Sequence, residues 1–263
     1  MTTVLKYFRL WVKLTMNSFL SVLSSRLSAG LFLLGKSLRF IFFGIFLWAL
    51  FAKVTHIAEY SFLQALFFYL TFNFIDTVTQ LFFREVYRFR QLVVSGDFDL
   101  VLVKPTNPLF RALAGGADPL DVLMLIPYIG ALVYVFLQLK GVTMWGVSSY
   151  VLLVTNGLVI ATGFHILVLA LAIMTTEVDH AIMIYRDLTS MGRVPVDIYQ
   201  EPLRGIITFV IPIGIMMTFP AKALFGLLTP GMVALAVIVG VGFLVVCLRL
   251  WRFALTQYAS ASS

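Results

Sequence analysis

The sequence is short of charge, cysteine and histidine, and each shortage removes a class of protein. Only 12% of the 263 residues are charged while 61% are apolar, and mean hydropathy is +1.00, so most of the chain cannot form a water-facing surface. A soluble domain of this length needs charge over most of its exterior. Here the charges sit in short clusters between apolar runs of about 20 residues. The single cysteine, Cys247, lies in an apolar run, which leaves neither a disulfide framework nor a thiolate metal site within one chain and makes it structural filler. His56, His165 and His180 fall in three separate segments with no nucleophile motif nearby, so Ser/His/Asp and Cys/His catalysis lack support. His165 reads as a hydrogen-bonding group toward a neighbouring helix. His180, beside Glu177 and Asp179, reads as a solvated loop residue.

What remains is a succession of apolar runs, which predicts an all-α membrane protein of six transmembrane helices. An amphipathic helix comes first, over residues 4–28: Leu5, Phe8, Val12, Met16, Phe19, Leu23 and Leu27 recur at steps of three and four, with Lys6, Arg9 and Lys13 on an adjacent stripe. It suits an anionic leaflet and lacks the unbroken apolar core of a span or a signal peptide. Spans are expected over about 31–52, 62–83, 120–139, 147–174, 205–219 and 231–250. Lys36 and Arg39, near the start of the first, can snorkel to the headgroups. Asp118-Pro119 and Thr229-Pro230 have the form of helix caps before spans three and six. The fifth span is short, roughly 22 Å of helix against roughly 30 Å of hydrocarbon, and Pro212 and Pro220 each remove a backbone donor. A kinked helix followed by a partly re-entrant segment over 220–228 is expected.

Lysine and arginine fix the orientation. With the amino terminus inside, six lie up to Arg39, five between Arg84 and Arg111, three between Arg186 and Arg204 and two after the last span, against only Lys53, Lys140 and Lys222 outside. This bias places both termini in the cytoplasm. It also accounts for the net charge of +7 without nucleic-acid binding.

Gly30 to Ser37 fits G-x-x-x-x-G-K-[ST] letter for letter, but four bulky apolar residues fill the loop and an amphipathic helix precedes it where a buried strand is required. Chance accounts for it, and any ATP would be bound by another chain. Within the second span, Asn73, Asp76, Thr77, Gln80 and Arg84 share a helical face. Asp76 costs about 2.5 to 3.5 kcal/mol in a span unless it finds partners, so this stripe either lines a substrate path or joins helices through a partner of Asp76. In the following loop, Arg84 to Val94 can form a helix ended by a left-handed Gly96. Asp97-Phe98-Asp99-Leu100-Val101-Leu102-Val103-Lys104-Pro105 comes next. Val93, Phe98, Leu100 and Leu102 are poorly placed in water, so this segment packs on the membrane face or docks on a soluble partner.

With these residues in view, the chain resembles the six-span permease subunits of bacterial ATP-binding-cassette exporters. The likeness rests on Gly96-Asp97-Phe98-Asp99 to Lys104-Pro105, on Val194 to Tyr199, and on Phe209 to Pro212 with Phe219-Pro220-Ala221 and Leu224-Phe225-Gly226. The resemblance implies an amino-terminal elbow helix, a cytoplasmic coupling helix between spans two and three, and a re-entrant segment between spans five and six, all in one transmembrane domain. It implies a multi-pass protein of the bacterial plasma or inner membrane. A second permease, identical or homologous, pairs with it, and two ATP-binding subunits hold the ATP and Mg, so this chain is not itself an enzyme. Arg84, Arg88, Arg90, Gly96, Asp97, Phe98, Asp99, Leu100, Lys104 and Pro105 would make up the coupling element. Asp97 and Asp99 could meet basic groups of the partner. A secondary transporter using Asp76 as an ion or proton site is the alternative, and it predicts inverted repeats that the sequence does not display. If the stripe lines a path, Asp76→Asn lowers transport while membrane levels stay normal. Equal transport rates at matched protein levels rule the path out.

Overall fold

The computed structural model describes residues 3–24, 26–175 and 178–258, and among these the chain is helical with one isolated bridge between Ile57 and Tyr60. Helices α1 (Thr3–Ser24), α2 (Arg26–Phe51) and α3 (Phe62–Phe83) lead into a 3-10 stretch, Arg84–Arg88, and three short helices, α4 (Phe89–Val94), α5 (Asp97–Leu102) and α6 (Pro108–Leu113). Then come α7 (Pro119–Phe136), α8 (Met144–Thr175), α9 (Val178–Ser190), α10 (Leu203–Gly205), α11 (Phe219–Leu224) and α12 (Pro230–Gln257). Five stretches are long and apolar enough to cross a membrane: α2, α3 with its extension to Val94, α7, α8 and α12. Glu177 and the side chains of Leu23, Asp179 and His180 lie outside the described residues.

The caps explain where the helices begin. Ser61 Oγ accepts from the Gln64 amide at 3.4 Å while Gln64 Oε1 accepts from the Ser61 amide at 2.9 Å, a capping box that starts α3. Asp118 accepts from the Leu120 amide at 2.8 Å and Thr229 from the Met232 amide at 3.3 Å, each followed by proline in the first turn. These are the two caps expected from sequence.

Helix α8 is the centre of the molecule. Leu153, Ile160 and Leu169 are fully buried on it, and small residues let its neighbours approach. Asn156 Nδ2 donates to the Ala236 carbonyl of α12 at 2.9 Å, and a Cβ at Gly240 would strike that same carboxamide, so glycine sets the α8–α12 separation. Cys247 is buried and free. Helix α1 lies across the far end of the short helices. Lys6 Nζ donates to the Pro105 carbonyl at 2.8 Å, the Asn107 amide to the Tyr7 hydroxyl at 2.9 Å and the Ala117 amide to Thr15 Oγ1 at 3.0 Å. Gly116, at φ +101°, sits where a Cβ would meet the backbone of Leu14 and Thr15, so no side chain fits between the two segments.

Residues 178–198 differ from the cytoplasmic loop expected before the fifth span. Arg186 to Arg204 were expected together on the cytoplasmic side, yet the chain here runs the length of α3. Tyr185 packs on His165 near one end of α8, with ring centroids 4.8 Å apart. Arg193 stands 5.9 Å over the Phe72 ring, halfway along α3. Asp197 then accepts from the Tyr60 hydroxyl at 2.7 Å and from Lys222 Nζ at 2.8 Å, at the end of α3 opposite Arg84. Burial, and next the hydrogen bond to Asp197, push the Tyr60 phenol far above its ordinary value, which keeps it a neutral donor at physiological pH.

The proline-broken segment is bent at Pro212, as expected, and sharply. Leu203–Val210 and Gly214–Leu224 form two arms bent by 79°. Ile213, at the bend, lies beside Gly192, while Lys222 returns to Asp197, so the pair dips into the protein and comes back. Pro212 stands in the bend. Pro220 does not break the second arm, because it falls in the first turn of α11 after a π-helical turn, Gly214–Thr218, whose wider spacing tolerates the missing donor. In sealed vesicles of a Cys247→Ser background, an impermeant maleimide should therefore modify Gln200→Cys and Lys53→Cys from one face and Ser95→Cys from the other. Modification of Gln200→Cys and Ser95→Cys from the same face contradicts this path of the chain.

Candidate functional site

A buried charge network joins α2, α3 and α7 at the Arg84 end. Lys36 of α2 forms an ion pair with Asp121 of α7, whose side chain is fully buried, and also donates to Gln80 Oε1 at 3.1 Å. Arg84 Nε meets Asp118 at 2.9 Å and its guanidinium reaches Asp121 at 3.5 Å. Phe32 carries both cations on its ring, Lys36 at 5.0 Å and Arg84 at 4.8 Å. Lys36 was expected to snorkel to the headgroups. It turns inward instead, because Asp121 on the neighbouring helix offers a carboxylate and a buried pair avoids leaving either charge alone.

Gln80 links this network to Asp76, donating to its carboxylate at 2.7 Å. Both line a groove along α2, α3 and the Val178–Arg193 segment. One chamber of about 360 Å³ is lined by Phe32, Lys36, Arg39, Gln80, Arg84 and Arg186, among others. A narrow middle contains Arg39, Asp76, Tyr87, Arg186, Ser190 and Arg193. A second chamber of about 360 Å³ is lined by Arg39, Phe42, Phe43, Phe46, Tyr69, Phe72, Asn73 and Arg193. Arg39 borders all three. Asn73 donates to the Tyr69 carbonyl of its own helix at 2.7 Å and faces the aromatic chamber. Of the expected stripe, Asn73, Asp76, Gln80 and Arg84 line the groove. Thr77 is buried, at 4% exposure, and is not among the lining residues.

The predicted coupling segment is a block of short helices. Glu85 accepts from Arg111 at 2.9 Å and lies 3.9 Å from Arg88, tying the 3-10 stretch to α6. Gly96, at φ +76°, follows α4 as expected, and the Ser95 hydroxyl donates to Asp97 at 2.7 Å. Phe98 departs from expectation. It is fully buried inside the chain, with ring centroids 5.1 Å from Phe89, 5.3 Å from Tyr258 and 6.5 Å from Trp251. Val93 is buried as well. The outer face is left to Val94, Leu100 and Val103, at 64%, 57% and 79% exposure. A cleft of about 490 Å³, bordered by Val94, opens between Tyr87, Arg88, Arg90, Gln91 and Ser95. Pro105 is held by Lys6, and Lys104 precedes it on the exposed surface.

Two other expectations resolve simply. His165 bonds through Nδ1 to the Ala161 carbonyl of its own helix at 2.8 Å, not to a neighbour, and Phe83 and Tyr185 enclose its ring at 5.1 and 4.8 Å. Residues 30–37 lie inside α2, where the backbone amides are engaged in helix bonds, so no phosphate cradle exists there. Among the described residues no group of three or more His, Cys, Asp or Glu could hold a metal ion. Sequence reasoning missed Asp121, Arg186 and Arg193 as lining or network residues. The signal for Asp121 was present: a second carboxylate one turn after the Asp118 cap, inside an apolar run.

A family model described as ABC-2 family transporter protein matches residues 37–262. No curated protein matches the chain, and no solved structure does.

The network predicts a sharp asymmetry between breaking and replacing its central pair. Asp121→Asn strands the Lys36 ammonium and should lower stability by about 3 to 5 kcal/mol. Lys36→Met with Asp121→Leu should recover most of that loss. Thermal unfolding in detergent measures both, and an Asp121→Asn protein that melts with the wild type would falsify the pairing.

Proposed function

This chain belongs to the ABC-2 family of transporter proteins, and from that premise we propose that it is the membrane-spanning permease subunit of an ATP-driven exporter. It works beside a second permease and two separate ATP-binding subunits, which hold the nucleotide and its Mg ion. Six crossings are made by α2, α3, α7, α8, the 178–198 segment and α12, with both termini cytoplasmic. The bent pair over 203–224 is re-entrant from the outer side, and α1 is an elbow helix lying on the inner leaflet.

One observation carries this reading. Arg84 belongs at once to the short-helix block, which this reading puts on the cytoplasmic side, and to the groove, since it begins the 3-10 stretch and also pairs with Asp118 and Asp121. A partner seated on Leu100, Val103 and the cleft beside Arg88 therefore pushes on a body whose root is the charge network. Phe98, clamped among Phe89, Trp251 and Tyr258, makes that body stiff enough to transmit the push. Closure of the ATP-binding pair then shifts the population between inward-open and outward-open forms, because the nucleotide-bound partner fits only one of them.

The exposed and buried residues of the block separate docking from folding. Leu100→Asp with Val103→Asp should leave the melting temperature of the purified chain unchanged and abolish co-purification with its ATP-binding subunit. Phe98→Ala should cost about 3 to 5 kcal/mol of stability instead. Retention of the ATP-binding subunit by the double Asp variant places the docking face elsewhere.

A further inference from the structure

The groove holds more positive charge than its own carboxylates neutralise. Lys36 and Arg84 are spent on Asp121 and Asp118. Arg39, Arg186 and Arg193 remain around Asp76, and among the described residues no carboxylate forms an ion pair with any of the three. Asp76 already accepts from Gln80, so one carboxylate stands against three guanidinium groups. Arg39 lies halfway along α2, a helix whose neighbouring residues Leu38 and Ile41 are apolar and exposed. A cation at that depth is costly unless an anion or water meets it. The adjoining chamber has the opposite character: beyond Arg39 and Arg193 its lining is aromatic, from Phe42, Phe43, Phe46, Tyr69 and Phe72, with Asn73 and the Tyr69 hydroxyl the further polar groups.

A charged chamber and an aromatic chamber sharing Arg39 fit a molecule with a charged end and an apolar body. We propose that this groove binds an amphipathic anion, with a phosphate or carboxylate head held by Arg39, Arg186 and Arg193 and an apolar chain laid along Phe42, Phe43 and Phe46. Guanidinium forks suit such oxyanion heads better than a point charge would. Asp76 has a definite part in this arrangement. It spaces the guanidinium groups in the empty groove and repels a head that descends too far, so the head stays near Arg39 and the tail enters the aromatic chamber. Treating the occupant as cargo rests on the exporter reading above, whereas binding itself needs no ATP-binding subunit.

The full-length chain in an uncharged maltoside detergent, titrated with dodecyl phosphate and followed by native mass spectrometry, tests the proposal. One dodecyl phosphate should bind at least tenfold more tightly than dodecyltrimethylammonium or inorganic phosphate. Arg39→Ala and Arg193→Ala should each weaken it at least tenfold, Arg39→Lys much less, and Lys53→Ala, outside the groove, not at all. Phe46→Ala, which removes no charge, should weaken dodecyl phosphate and leave inorganic phosphate unchanged. Equal binding of dodecyltrimethylammonium, or wild-type affinity in both arginine variants, overturns the proposal. Inorganic phosphate binding as tightly as dodecyl phosphate overturns the amphiphile. An anionic phospholipid that survives purification and resists exchange supports the same chemistry with the bilayer as its source, while ready exchange supports a cargo. Failure to capture any ATP-binding subunit sinks the exporter reading alone and leaves these affinities standing.

Discussion

A charge surrounded by hydrocarbon must find a counter-charge, and in this protein that requirement organises the helices. Each unpartnered cation or carboxylate at depth costs about 2.5 to 3.5 kcal/mol on insertion scales, a large share of the stability of an ordinary domain. Lys36 on α2, Arg84 just after α3, Asp118 capping α7 and Asp121 within α7 meet this cost jointly. Helices α3 and α7, which share few buried apolar contacts with α2, are thereby tied to it, since Leu47 is the one buried hydrophobic residue along α2. Close packing at Gly240 and the Asn156 hydrogen bond, which hold α8 to α12, have no counterpart at α2. Electrostatics holds it, together with the stacking of Phe40 and Phe43 on Tyr69 at 5.5 and 4.5 Å.

This division has a mechanical consequence. The interface of α8 and α12 is glycine-spaced and side-chain filled, and close-packed interfaces resist small displacements. The α2 contact is made by long side chains around an open groove, where rearranging an ion pair costs less than opening a packed seam. Any motion that opens the groove therefore separates α2 from α3 before it disturbs the α8 core. Helix α1 moves with the block at the Arg84 end, because Lys6, Tyr7 and Thr15 are bonded to residues 105–117 and Gly116 leaves no gap between them.

Much of this architecture was legible in the residues. Apolar runs located α2, α3, α7, α8 and α12, and Asp118-Pro119 and Thr229-Pro230 marked two of their starts, because capping and hydrocarbon length act locally. The Asn73, Asp76, Gln80, Arg84 stripe was visible because helical spacing alone puts those side chains on one face. Partners were not visible. Periodicity shows that Lys36 and Asp121 are charged residues in apolar surroundings, but only the packing of α2 on α7 reveals that they meet. Phe98 illustrates the same limit: an apolar residue in a polar segment signals burial without saying whether the cover is a partner, a membrane or the chain's own Trp251 and Tyr258.

The segment over 178–198 escaped hydropathy for a different reason. A segment that faces lipid must be apolar, but one that lines a polar groove is free to carry Arg186, Thr189, Ser190 and Arg193. Such a segment resembles a cytoplasmic loop by composition, and its arginines weight a charge count toward the inside even though they stand within the protein. The error therefore falls where the protein departs from the rules of a generic bilayer span. Departures of this kind concentrate at functional surfaces. The polarity that hid the segment from a hydropathy reading is the same property that lets it form one wall of the groove.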